Sequence, residues 1–155
     1  MTPSTGERAP GFRARNHHGE TVTLDDLLGP AEGGVLLVFY PWAFSGICTS
    51  ELGALRAGHA DLAAAGVRVV AVSCDAMFTL RAFAEAEDLP FDLLSDHWPH
   101  GAIAREYGVF DDEAGCALRG SFLVDRSGTV TWSVLHGIGE PRDIVEHVRT
   151  ALSPR

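Results

Sequence analysis

Pro41, Ser45 and Cys48 stand in the order P-x-x-x-S-x-x-C at the end of an apolar run, Val35-Leu-Leu-Val-Phe-Tyr40. A strand that stops at a proline and feeds a turn into a helix puts Cys48 at that helix's start. There, free backbone N–H groups and the positive end of the dipole favour a thiolate. The Ser45 hydroxyl is placed to donate to the sulfur or to a bound oxygen, and Pro41 to close the pocket without adding a competing N–H donor. A thiolate so equipped is a nucleophile for an atom that gains negative charge. Glu51, three residues on, suits the helix dipole but opposes a thiolate, so an arginine must stand between the two. Among the 12 arginines, Arg119 in Leu118-Arg-Gly-Ser-Phe122 is the choice, because strands of such a sheet end near that helix N-terminus.

The position where a disulfide oxidoreductase would complete Cys-x-x-Cys holds Glu51, which excludes a local redox pair. Cys74 ends an apolar strand and Cys116 lies in a loop before Arg119. Each is read as a packed thiol, with a resolving role as the alternative that requires the first turn of the Cys48 helix to unwind. Trp42 and Phe44 are expected to wall an apolar approach to the sulfur. The pairs His17-His18 and His97 with His100 raise a zinc reading, but their spacings form no compact set, so the seven histidines are read as surface or helix-capping groups. No metal and no cofactor are expected.

These residues need a scaffold. Residues 12 to 24 read as a hairpin whose turn carries the His pair, followed by one helical turn over 25–28. After the strand of 35–40, Leu52, Leu55, His59 and Leu62 mark a helix over 46–65, stopped by Gly66, and residues 67–73 form a buried parallel strand. Asp75 is expected to cap a second helix with Phe78, Ala82, Phe83 and Ala86 on one face. A short strand over 91–94, a short helix opened by Pro99 with Ile103 and Tyr107 inward, and a hairpin of 117–124 with 129–134 follow. Pro141 then opens a last helix with an apolar stripe of Ile144, Val145, Val148 and Leu152. The order predicts one α/β domain over 1–155: a mixed sheet with helices on both faces, a thioredoxin-like core with an N-terminal hairpin.

Apolar residues make up 46% of the 155 and charged residues 21%, an ordinary globular balance. Twelve basic against 21 acidic residues give −9, the wrong sign for nucleic acid or an anionic membrane. All the basic residues are arginine, so Schiff-base chemistry and a phosphate-loop lysine are excluded. The start lacks an apolar h-region, no stretch approaches the ~18 apolar residues of a span, and three cysteines do not make a disulfide framework; a cytoplasmic address is expected.

The run Pro41-Trp-Ala-Phe-Ser-Gly-Ile-Cys48-Thr-Ser-Glu51, with Leu118-Arg-Gly-Ser-Phe-Leu-Val-Asp-Arg-Ser-Gly128, resembles a peroxiredoxin over nearly the whole chain. Leu94-Ser-Asp-His-Trp-Pro-His-Gly101 and Tyr107-Gly-Val-Phe110 most resemble the one-cysteine alkyl hydroperoxide reductase E branch. The resemblance implies Cys48 as peroxidatic nucleophile that becomes a sulfenic acid, Ser45 (more often threonine) and Arg119 as stabilisers of the displaced oxygen, Pro41 as shield and Glu51 as positioner of the arginine. It further implies hydrogen peroxide, organic hydroperoxides and peroxynitrite as substrates, an external thiol or a thioredoxin- or glutaredoxin-like protein as reductant, and a homodimer or higher homo-oligomer. Gly53 stands where some relatives keep a resolving cysteine, which favours the one-cysteine cycle. The alternatives are a two-cysteine enzyme resolving through Cys74 or Cys116, a thioredoxin-fold sensor or interaction protein with negligible turnover, and an oligomeric holdase.

Overall fold

A computed structural model describes residues 1–153. Seven strands form one mixed sheet in the order β2-β1-β5-β4-β3-β8-β9. Its centre is β3 (Val35–Phe39), parallel to β4 (Arg68–Ser73), which is parallel to β5 (Asp92–Ser95). These strands have helical crossovers between them, α2 (Gly46–Ala64) and α3 (Met77–Glu87), as parallel pairing requires. The antiparallel strands flank them: β1 (Arg13–Asn16) and β2 (Thr21–Thr23) beyond β5, and β8 (Arg119–Val124) with β9 (Val130–His136) beyond β3.

The period of two along β3 divides the core. Val35, Leu37 and Phe39 face one layer with α1 (Leu24–Leu28) and α4 (Ala102–Glu106). Leu36, Val38 and Tyr40 face the other, with α2, α3 and α5 (Ile144–Leu152). On the first face Phe39, Tyr107 and Phe122 pack ring on ring at 5.1–6.0 Å, and the Tyr107 hydroxyl donates to Pro10 O at 2.7 Å. On the second, Gly58 of α2 lets α5 lie close: a Cβ there would meet Val148 Cγ2 at 2.7 Å. That close approach places the segment leading into α5 over the start of α2.

The mixed sheet with helices on both faces agrees with the sequence reading, and several local expectations are corrected. The strand expected over 117–124 breaks at Leu118, giving a two-residue β7 (Cys116–Ala117) that pairs with β6 (Phe110–Asp111) as a separate ribbon. Asp75 does not cap α3, whose N-cap is Ala76; its carboxylate instead accepts Ala43 N–H at 2.8 Å and the Ser73 hydroxyl at 2.6 Å. The buried face of α3 is Leu80, Phe83 and Ala84, while Phe78 is 70% exposed and Ala82 and Ala86 are exposed. Alanine is too weakly apolar to fix the phase of an eleven-residue helix, and the larger Leu80 decides it. The last helix starts at Ile144, capped by Asp143, whose side chain accepts Glu146 N–H. It buries Ile144, His147 and Ala151 and leaves Val145 and Leu152 exposed.

Candidate active site

Cys48 lies in the first turn of α2 with no solvent-exposed surface, and Pro41 is buried beside the loop that leads to it. Three features hold this loop. Asp75 grips Ala43 N–H, the Thr49 hydroxyl donates to Ser45 O at 2.7 Å, and Phe44 adopts a left-handed backbone (φ 69°) with its ring 5.0 Å from that of Phe83. A bulky side chain in that region costs about 1–2 kcal/mol, a strain that the surrounding contacts hold in place. Ser45 occupies the N-cap position of α2, but its hydroxyl neither caps the helix nor bonds the sulfur; it donates to Trp42 O at 2.9 Å. Trp42 and Phe44 are exposed beside the loop.

Arg119, at the start of β8, reaches the sulfur: Nη1 donates to Cys48 Sγ at 3.4 Å and to Glu51 Oε1 at 2.6 Å, and Nε donates to Ile138 O at 2.7 Å. The two Nη1 hydrogens therefore divide between sulfur and carboxylate. A guanidinium hydrogen aimed at sulfur bonds a thiolate more strongly than a thiol. The arginine demanded between Cys48 and Glu51 stands where the sequence placed it.

A second arginine was not foreseen. Arg142 is buried against the opposite side of Glu51, with Nε and the backbone N–H on Oε2 at 3.0 and 2.8 Å and Nη2 on Oε1 at 2.9 Å. Burial alone pushes the Glu51 carboxyl up, but the hydrogen bonds and charge of Arg142, with the charge of Arg119, outweigh it and hold the group below the usual 4.5. Charge balance was the available signal: a thiolate and a carboxylate in one buried site need two cations, and Arg119 is one.

Glu51→Ala leaves two buried guanidiniums without their carboxylate and is expected to lower unfolding stability by about 3–5 kcal/mol, read from the urea midpoint. Because the folded-state value is depressed, ionised Glu51 contributes stability that is fully present above its unfolded value and is lost as pH falls through the folded one. The stability gap between the protein and Glu51→Gln is therefore expected to narrow below about pH 4.5.

The Tyr40 hydroxyl, fully buried, has no hydrogen-bond partner of good geometry among the described residues. Tyr40→Phe removes a desolvated donor and is expected to stabilise the fold by about 1 kcal/mol, a rise in Tm of about 2–4 °C by thermal denaturation.

Cys74 and Cys116 are buried free thiols. Burial, then the charges of Asp96, Cys116 and Asp75, raise Cys74 to about 12; burial, then Asp111, Cys48 and Asp75, raise Cys116 to about 11. Two histidines correct the reading of these groups as surface or capping residues. His147 is buried on α5, and His17 is buried at the hairpin turn. His17, His18 and Asp92 bring ligand-type atoms within 4.8 Å of one another. However, His17 Nδ1 accepts Leu93 N–H at 3.1 Å, so the neutral ring carries its hydrogen on Nε2 and has no lone pair left for a metal.

A cysteine at a helix start in a thioredoxin-like sheet, with a buried guanidinium on its sulfur, defines a thiol-based oxidoreductase. Residues 5–133 match the AhpC/TSA family, and the chain belongs to that family, the peroxiredoxins. It is 41% identical over 140 residues to alkyl hydroperoxide reductase E of Mycobacterium tuberculosis, covering 90% of each chain. It is 30% identical to the chloroplastic 2-Cys peroxiredoxin of Hordeum vulgare, covering 96% of this chain and 73% of that one. Among solved structures, Enterococcus faecalis AhpC superposes with a TM-score of 0.87 at 28% identity, covering 97% of this chain and 91% of that one. The protein is a thiol-dependent peroxidase with a peroxiredoxin fold. No helix among the described residues is long and apolar enough to cross a membrane.

Proposed function

We propose that the peroxidase works by a one-cysteine cycle in which Cys48 is the nucleophile. Its thiolate attacks the distal oxygen of a hydroperoxide; the O–O bond breaks, an alcohol or water leaves with a proton, and the sulfur becomes a sulfenic acid. Arg119 Nη1, already 3.4 Å from Sγ, is the donor that follows charge from sulfur to the departing oxygen. Glu51 fixes that arginine. Pro41 shields the sulfur, and Ser45 turns its hydroxyl from Trp42 O to the bound peroxide. An external thiol or a redoxin then attacks the sulfenic sulfur, releasing water, and a second thiol displaces Cys48 as thiolate.

The observation that carries the one-cysteine reading is the state of the other two sulfurs. Burial first of all pushes Cys74 up to about 12 and Cys116 up to about 11, which keeps both protonated at neutral pH, whereas the equally buried Cys48 has the Arg119 guanidinium on its sulfur at 3.4 Å. Free thiols throughout also fit a cytoplasmic address. Trp42, Phe44, Phe78 and Trp98, the last 86% exposed, supply apolar surface for a homodimer.

Intact mass after one equivalent of hydroperoxide tests the cycle. A gain of one oxygen, or its trapped adduct on Cys48, is expected; a loss of two hydrogens without trapping overturns one-cysteine resolution in favour of Cys74 or Cys116. Absence of steady peroxide consumption with a supplied thiol would remove turnover itself and favour a sensor.

A further inference from the structure

Behind the Arg142–Glu51 pair lies a buried polar train that the thiol chemistry does not itself require. Arg142 Nη1 donates to Gly120 O at 3.0 Å and to Ser121 Oγ at 2.9 Å. Ser121 Oγ lies 2.8 Å from His147 Nε2, and His147 Nδ1 lies 2.9 Å from Asp143 O. Each direction in this train is fixed by chemistry. A carbonyl oxygen only accepts, so Nδ1 carries the ring hydrogen. Burial and the Arg142 charge push His147 down to about 4, so the ring is neutral and Nε2 is an acceptor. Ser121 must then donate its hydrogen to Nε2, and the Ser121 oxygen presents its lone pairs to Arg142 Nη1. The indole of Trp132 stands edge-on to the imidazole at 4.8 Å and fixes the plane of the ring.

We propose that His147 is a positioning residue for the reactive thiol: through Ser121 and Arg142 it fixes the Glu51 carboxylate that aims Arg119 Nη1 at Cys48 Sγ. The inference rests on Cys48 being the nucleophile. The train runs from an α5 side chain through a β8 hydroxyl to Glu51 in the second turn of α2, so it ties three elements to one guanidinium orientation. With an acceptor at Nε2, the Ser121 hydroxyl cannot turn its hydrogen toward Arg142. Without one, that hydrogen is free to rotate into the space that Nη1 needs, and Arg142 loosens its grip on Glu51.

The test compares His147→Phe, which keeps an aromatic ring but no acceptor, with His147→Gln, whose amide places a polar atom where Nε2 stands. Stopped-flow oxidation of Cys48 by hydrogen peroxide in the folded protein is expected to slow about five- to tenfold in His147→Phe. It is expected to return to within twofold in His147→Gln. A packing role alone would lower Tm in His147→Phe and leave this rate constant untouched. An unchanged rate in His147→Phe, or equal slowing in both variants, overturns the proposal. A second readout needs no peroxide: hydrogen exchange at the Arg142 Nε–H, followed by nitrogen-15 NMR, is expected to accelerate at least fivefold in His147→Phe and not in His147→Gln. If the wild-type protein failed to react with peroxide, the nucleophile assignment would fall. The arginine signal would still judge the train, and no change in it would overturn the inference.

Discussion

A Cys48→Ser variant is expected to consume hydroperoxide no faster than the uncatalysed reaction, a loss of at least about 10⁴ in rate. A buried serine hydroxyl does not ionise at neutral pH and has no polarisable sulfur lone pair to offer an O–O bond. The exchange of sulfur for oxygen is nearly isosteric and leaves the Arg119 donor with an acceptor, so the far-ultraviolet dichroism should match the wild type. The informative companions are Cys74→Ser and Cys116→Ser. Their sulfurs are buried and held protonated, so each variant is expected to keep thiol-supported turnover within about twofold. Retained consumption in Cys48→Ser, measured by peroxide loss with a supplied thiol, would move the nucleophile elsewhere.

Arg119→Met is expected to lower the second-order rate constant for Cys48 oxidation by about 10²–10³, the range for loss of one fixed donor aimed at a developing charge. The unbranched thioether side chain fills much of the same volume, and Glu51 keeps Arg142 on both oxygens, so the carboxylate remains paired. The fold therefore survives better than in Glu51→Ala, which separates chemistry from stability. Arg119→Lys is expected to recover at most tenfold. One guanidinium serves sulfur, carboxylate and the Ile138 carbonyl in fixed directions, and an ammonium at the end of a flexible stem is a point charge that cannot span all three. A rate constant within tenfold of wild type in Arg119→Met would remove Arg119 from the transition state.

The scaffold was legible wherever large apolar residues repeat. The continuous apolarity of 35–40 and 67–73 gave the two parallel strands, and Leu52, Leu55 and Leu62 gave the face of α2. The phase of α3 was not legible, because alanines at 82 and 86 mimic a stripe that solvent tolerates. The line from Cys48 to Arg119 came from motif and charge logic. What failed to appear was the choice of partner that individual polar side chains make in the folded chain. Ser45 turns its hydroxyl to Trp42 O, Asp75 holds the reactive loop instead of a helix start, and Arg142 arrives from a segment 91 residues beyond Glu51. Periodicity carries no trace of a hydrogen bond between elements. His147 was hidden for a related reason, since an imidazole on an apolar stripe scores as a polar interruption, and only its partners show that it belongs inside.

The complete enclosure of the Cys48 sulfur sets different demands on the two half-reactions. A hydroperoxy group is two atoms wide and can slip between side chains, whereas a redoxin must bring its own cysteine to about 2.05 Å from the same sulfur. In the proposed cycle, the Asp75 grip on Ala43 and the Thr49 bond to Ser45 are expected to release for that encounter. On that cycle recycling is expected to be gated by the loop: under saturating redoxin the throughput should level off at the opening rate, sensitive to solvent viscosity and indifferent to which hydroperoxide was supplied.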